Sequence, residues 1–205
     1  MANTTFSGPV RSLNGFETVS KNATTGAITI TSGSKMAVEA AASAGIEGTA
    51  AVYVTQVERF KSDTDTNVNV VKTTIMIDLT GLRSTAAGDI IGKNGSGVAY
   101  IGQVTTANQG TVFGVTMQCL ETPAGGDPDI NLHSATEGTG VEDTAISDLT
   151  ETLIINSGDL AAGSFVAGGD IAADQFLYLT AGATTDADYT AGRLLITITG
   201  YDVAS

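Results

Sequence analysis

Basic residues are scarce in this 205-residue chain: nine Lys and Arg stand against 22 Asp and Glu, a formal net charge of −13. Between Lys93 and Arg193 there is neither Lys nor Arg, while 13 acids fall in that stretch. A nucleic-acid surface needs Lys or Arg to displace phosphate counterions, so this stretch offers none. An anionic membrane surface is disfavoured for the same reason. Cysteine occurs once, at Cys119, which rules out an internal disulfide and reads as a small buried hydrophobe. Histidine occurs once, at His133, and tryptophan not at all. One Cys and one His cannot assemble a zinc site. No apolar run reaches the ~18 residues of a membrane-spanning helix. The opening Met1–Arg11 has no apolar stretch of the secretory kind. The expectation is a soluble protein made in a cytosol, with no membrane and no nucleic-acid partner.

What is abundant points to strands. Thr, Ala and Gly make 83 of the 205 residues, with only three Pro. Small and β-branched residues separated by Gly and Asp favour short strands and tight turns over helices. The hairpin Val52–Phe60, loop 61–67 and Val68–Leu79 is the clearest. Ile75, Ile77 and Leu79 fall on one face, with Thr74, Met76 and Asp78 on the other, the period of a half-buried strand. Further strands are expected at Ala27–Thr31, Val98–Val104, Thr111–Leu120, Leu153–Asn156, Gly163–Ala167, Gln175–Thr180 and Leu194–Tyr201. Met36–Ala42 is ambiguous, because Ala and Glu favour helix. Ile146, Leu149 and Leu153 mark one or two helical turns. A Gly-Asp-aliphatic pattern recurs at Gly88-Asp89-Ile90, Gly158-Asp159-Leu160 and Gly169-Asp170-Ile171 and reads as turn chemistry. The fold class is therefore all-β, a jelly-roll-like β-sandwich.

Two segments depart from this rhythm. Residues 1–22 carry isolated apolar anchors at Phe6, Val10, Leu13, Phe16 and Val19 among Gly8-Pro9 and Asn14-Gly15. They read as an extended N-terminal arm, with an ordered edge strand as the alternative. Residues 1–67 form arm and edge strands with a net charge of −1; residues 68–205 form the compact body with −12. The second segment, Thr122–Thr144, holds two Pro, several Gly and the acids Asp127, Asp129, Glu137, Glu142 and Asp143. It is the longest expected loop.

Candidate chemistry is thin. His133 has no nucleophile elbow to serve, and a loop histidine that packs or hydrogen-bonds is the plainer reading. The alternating acids Asp63/Asp65, Asp127/Asp129 and Asp186/Asp188 lack the further ligands of a calcium loop and read as solvated turns, with a modest divalent-ion site as the sharper alternative. Gly92–Gly97 superficially resembles a phosphate cradle, but strand-like residues follow it, so it reads as a hairpin turn. Paired carboxylates for glycoside hydrolysis would need aromatic rings to stack the sugar, and these are few. No catalytic residues, cofactor or metal ligands are assigned.

Ala2-Asn3-Thr4-Thr5-Phe6-Ser7-Gly8-Pro9-Val10-Arg11-Ser12 with Asn14-Gly15-Phe16, the strand Ile75–Leu82, Asp174–Gly182, Tyr189–Arg193 and Gly200-Tyr201-Asp202 resemble structural proteins of marine tailed bacteriophages. The resemblance implies a capsid decoration, or cement, protein. It would bind the major capsid protein on the outside of the icosahedral shell as a homotrimer, with no enzymatic residues to carry over. The expected contact residues are Phe6, Pro9, Val10, Arg11, Leu13 and Phe16. The competing readings are a tail- or fibre-associated virion β-sandwich that touches the host surface, and a carbohydrate-active enzyme with two inward-facing carboxylates.

Overall fold

The computed structural model describes residues 17–21, 28–33, 43, 45–46, 51–61 and 67–204. Its chain forms two compact units, Met1–Met36 and Ala37–Ser205. In the first, β1 (Glu17–Lys21) pairs antiparallel with β2 (Ile28–Gly33). Glu17–Lys21, read from sequence as extended arm or ordered edge strand, is a strand.

The second unit is built on strands of alternating burial. β3 (Ala51–Lys61) and β4 (Asn67–Asp78) form the expected hairpin. From Val71 to Leu79 every odd residue of the chain is buried. Two very short strands follow, β5 (Arg83–Ser84) and β6 (Gly102–Gln103). The strand expected over Val98–Val104 is thus only its Gly102–Gln103 part, with Val98 bridged separately to Val141. One helical turn, α1 (Thr106–Gln109), starts where the Thr105 hydroxyl accepts the Asn108 N–H at 3.2 Å. It ends at Gly110, whose φ of 66° only glycine adopts freely.

β7 (Thr111–Ala124) and β8 (Ile130–Ala135) come next, then a 3-10 turn at Ile146–Asp148, where a helical turn was expected. The chain continues through β9 (Glu151–Ile155), β10 (Phe165–Gly168), β11 (Phe176–Ala181), β12 (Ala187–Asp188) and β13 (Ala191–Ala204). β8 corrects the sequence reading: Thr122–Thr144 is not one long loop but contains a strand with partners on both sides.

The unit is all-β. One antiparallel sheet has the order β10-β7-β13-β4-β3, a second β6-β11-β8-β9, and β12 pairs with β5. The main sheet thus includes β3, an edge strand from the first 67 residues. A jelly roll divides eight strands into two sheets of four; the hydrogen bonding here makes five and four. One cluster of buried side chains joins the two sheets. Ile75, Ile77, Met117, Leu194 and Ile196 come from the first, and Leu132, Ile155, Leu177 and Leu179 from the second. The aliphatic residue of each Gly-Asp turn, Ile90, Leu160 and Ile171, is buried in the same core. Among the described residues no helix is long and apolar enough to cross a membrane.

Candidate functional site

The expected contact residues Phe6, Pro9, Val10, Arg11, Leu13 and Phe16 lie outside the described residues, as do Asp63 and Asp65. The other singled-out residues have definite places. Cys119 is fully buried on β7, and its Sγ donates to the Glu121 carbonyl at 3.2 Å. Burial pushes its thiol pKa up, which keeps it protonated and unreactive. His133 is a buried residue of β8, with Nδ1 2.8 Å from Glu151 Oε2 on the neighbouring strand. Gly92–Gly97 holds a tight turn closed by the Ser96 N–H to the Lys93 carbonyl at 3.0 Å, but not the expected hairpin, because Gly92 is bridged to Arg83 and Val98 to Val141.

The acids of the 122–144 segment divide by what they touch. Asp127 is 1% exposed. Its Oδ1 accepts the Asp129 N–H at 3.1 Å and its Oδ2 the Ala183 N–H at 2.6 Å. Its own N–H donates to Ser84 Oγ, and its carbonyl accepts the Tyr189 hydroxyl at 2.7 Å. Tyr189 is fully buried, and that burial raises its pKa far above the ordinary phenol value. Glu137 accepts both the hydroxyl and the N–H of Thr150, which lowers its pKa. Asp186 and Asp188 grip one guanidinium, at 2.6 Å and 3.0 Å from Arg83. The sequence reading of this pair as a solvated turn is corrected: alternating residues on an extended segment project to one side, and both reach the same guanidinium. The cation itself, distant in sequence, was not legible from spacing.

Asp129 is the discordant acid. Its Oδ1 is buried without a hydrogen-bond partner. Burial, then the charges of Asp127 and Asp159, push its pKa up. A carboxyl whose folded pKa exceeds its unfolded value stabilises the fold at low pH. That contribution is lost as pH rises through the folded pKa. Asp129→Asn is therefore expected to be more stable than wild type at pH 7, with the gap closing as pH falls below the carboxylate range. Urea unfolding at the two pH values checks this; an equal or lower midpoint at pH 7 contradicts it.

Two polar clefts open on this unit. The larger, 360 Å³, is lined by Arg83, Thr85, Asp89, Glu142, Asp143 and Asp186 with a few neighbours. Glu142 is 8% exposed, and burial, reinforced by Asp143, raises its pKa against an opposing backbone hydrogen bond from Gly95. A carboxyl of raised pKa with further acidic side chains around it is a combination that glycoside hydrolysis uses. No aromatic ring is among the lining side chains to stack a sugar. The second cleft, 320 Å³, is bordered by Ser134, Thr136, Thr150, Glu151 and Thr152 beside the His133–Glu151 pair. Among the described residues no three His, Cys, Asp or Glu side chains form a set able to hold a metal ion.

Comparison with protein-family models, with curated proteins and with solved structures found no match to this chain.

Proposed function

We propose that this chain is a non-enzymatic capsid decoration protein, a cement that binds the outer surface of a tailed-phage icosahedral shell as a trimer and stabilises it. The observation that carries the reading is the use of its acids. Asp127 holds backbone N–H groups, Glu137 holds Thr150, and Asp186 with Asp188 holds Arg83. These carboxylates brace a β-framework, and the cleft where Asp186 meets Asp89, Glu142 and Asp143 has no aromatic ring among its lining side chains. The remaining acidic surface keeps particles apart in solution. A protein that must stay on a shell gains from such rigidity, and the sequence resemblance to phage structural proteins points the same way.

The nearly neutral first 67 residues would supply the contact side. Burying each of Phe6, Val10, Leu13 and Phe16 on the major capsid protein would contribute roughly 1.5–3 kcal/mol. Deleting residues 2–16 is expected to reduce binding to shells stripped of the protein to background, while the melting transition of the Ala37–Ser205 unit persists. Co-sedimentation with the shells, alongside circular dichroism, measures both. Undiminished binding by the folded deletion variant overturns the arm's role.

A further inference from the structure

We infer that the outer face of the five-stranded sheet is the surface through which copies of this chain associate with one another. The register makes this face explicit. Met117, Cys119, Ile75, Ile77, Leu194 and Ile196 point into the core, so their alternates point outward. Phe165 of β10 is paired with Gln118 of β7, Gln118 with Leu195 of β13, and Leu195 with Met76 of β4. The next outward row, two residues along, is Ala167, Thr116, Thr197 and Thr74. Eight adjacent positions across four strands therefore carry no charge, on a chain of net charge −13. Phe165 is 63% exposed and Met76 43%. Charge returns only at the ends of this block: Arg193 with Asp78 and Glu121 at one end, Lys72 at the other.

Size and charge together select the occupant. β3, β4, β13 and β7 lie side by side over a register of about nine residues. At ~4.8 Å between strands and ~3.3 Å per residue, that face with β10 added covers roughly 600–700 Å², the uncharged block forming its centre and the rows that carry Lys72 and Arg193 its rim. A stable interface needs about 800 Å² per partner, so the face is of the right order. Two bodies that are acidic elsewhere repel unless they meet through a surface free of charge. Another copy of this chain brings such a surface, rich in Thr and aliphatic side chains and suited to sheet-on-sheet packing. Isolated apolar residues on a soluble surface need no explanation, but Met76, Leu195 and Phe165 share one in-register row of an uncharged block.

The inference stands apart from the decoration reading, and sedimentation equilibrium of the full chain tests it. The wild type is expected to be oligomeric at micromolar concentration. The double variant Met76→Glu, Phe165→Glu places like charges across the contact and is expected to weaken self-association about a hundredfold or more. Both positions are exposed, so its circular dichroism and melting should match wild type. Leu153→Glu, at an exposed position on β9 of the other sheet, is expected to keep the wild-type mass. A monomeric wild type, or an undiminished oligomer in the folded double variant, overturns the inference. A trimer that the double variant dissolves supports both proposals. A dimer that it dissolves supports this one and removes the threefold arrangement from the function proposed above.

Discussion

Replacing Asp127 with Ala is expected to lower the stability of the body by about 3 kcal/mol. Two backbone N–H groups, those of Asp129 and Ala183, lose a charged acceptor at 3.1 Å and 2.6 Å. A hydrogen bond to a charged group is worth about 1.5–3 kcal/mol, and Ala supplies no replacement. The damage reaches one distant segment: Oδ2 holds the Ala183 N–H, 56 residues away, whereas the bonds to Ser84 and Tyr189 use the Asp127 backbone and survive the substitution. For a chain of this size the melting temperature should fall by roughly 6–12 °C. Asp127→Asn keeps one carbonyl oxygen and should lose less. Thermal melts of the two variants separate the cases. An Asp127→Ala variant that melts with wild type would mean the carboxylate is ornamental, and the bracing role of the acids would fail with it.

The second large effect is expected at Gly200. This residue lies in β13, between Val71 of β4 and Val112 of β7. A Cβ there would overlap the Gln109 carbonyl oxygen and stand 3.0 Å from that of Thr111. Both obstacles are backbone, so neither can rotate away. At the same point β7 carries an extra residue: Thr199 pairs with Gly114 and Gly200 with Val112, leaving Phe113 unmatched. Phe113 is 56% exposed, its ring 6.2 Å from that of Tyr201. Gly200→Ala must shift a central strand and its bulge together, which places it at or above the ~3 kcal/mol upper end of overpacking costs. Gly114→Ala, with open space around its Cβ, is the matched control and should cost far less. Urea unfolding of the pair checks the ranking; equal midpoints would contradict it.

Strands that bury one face were legible from sequence; of those that bury both, β11 was legible as Gln175–Thr180 and β8 was not. β4 and β13 alternate strictly, and Val71–Leu79 and Leu194–Gly200 were readable from their apolar spacing. β8 runs Ile130-Asn131-Leu132-His133-Ser134-Ala135, and its last four residues are all buried. Both of its faces are covered there, so no period-two contrast survives. The glycines around it misled for a second reason. Gly126, Gly138 and Gly140 read as loop punctuation, yet a Cβ at any of them would strike the ring of Tyr189, Phe176 or Tyr178. They are glycines because aromatic rings press on the backbone, which is packing information that sequence spacing does not hold. Asp127 was visible as one of an alternating acid pair. Its burial was not, because each partner beyond Asp129 arrives from a distant strand or turn.

This framework is proposed to serve a shell. The most direct test is co-sedimentation of the purified chain with mature cognate shells stripped of it, titrated to saturation. Decoration predicts saturable binding, with a plateau that matches the number of threefold positions on the shell. Binding that never saturates, or chain that stays in the supernatant with intact shells, would contradict it and turn attention to a tail or host-surface role.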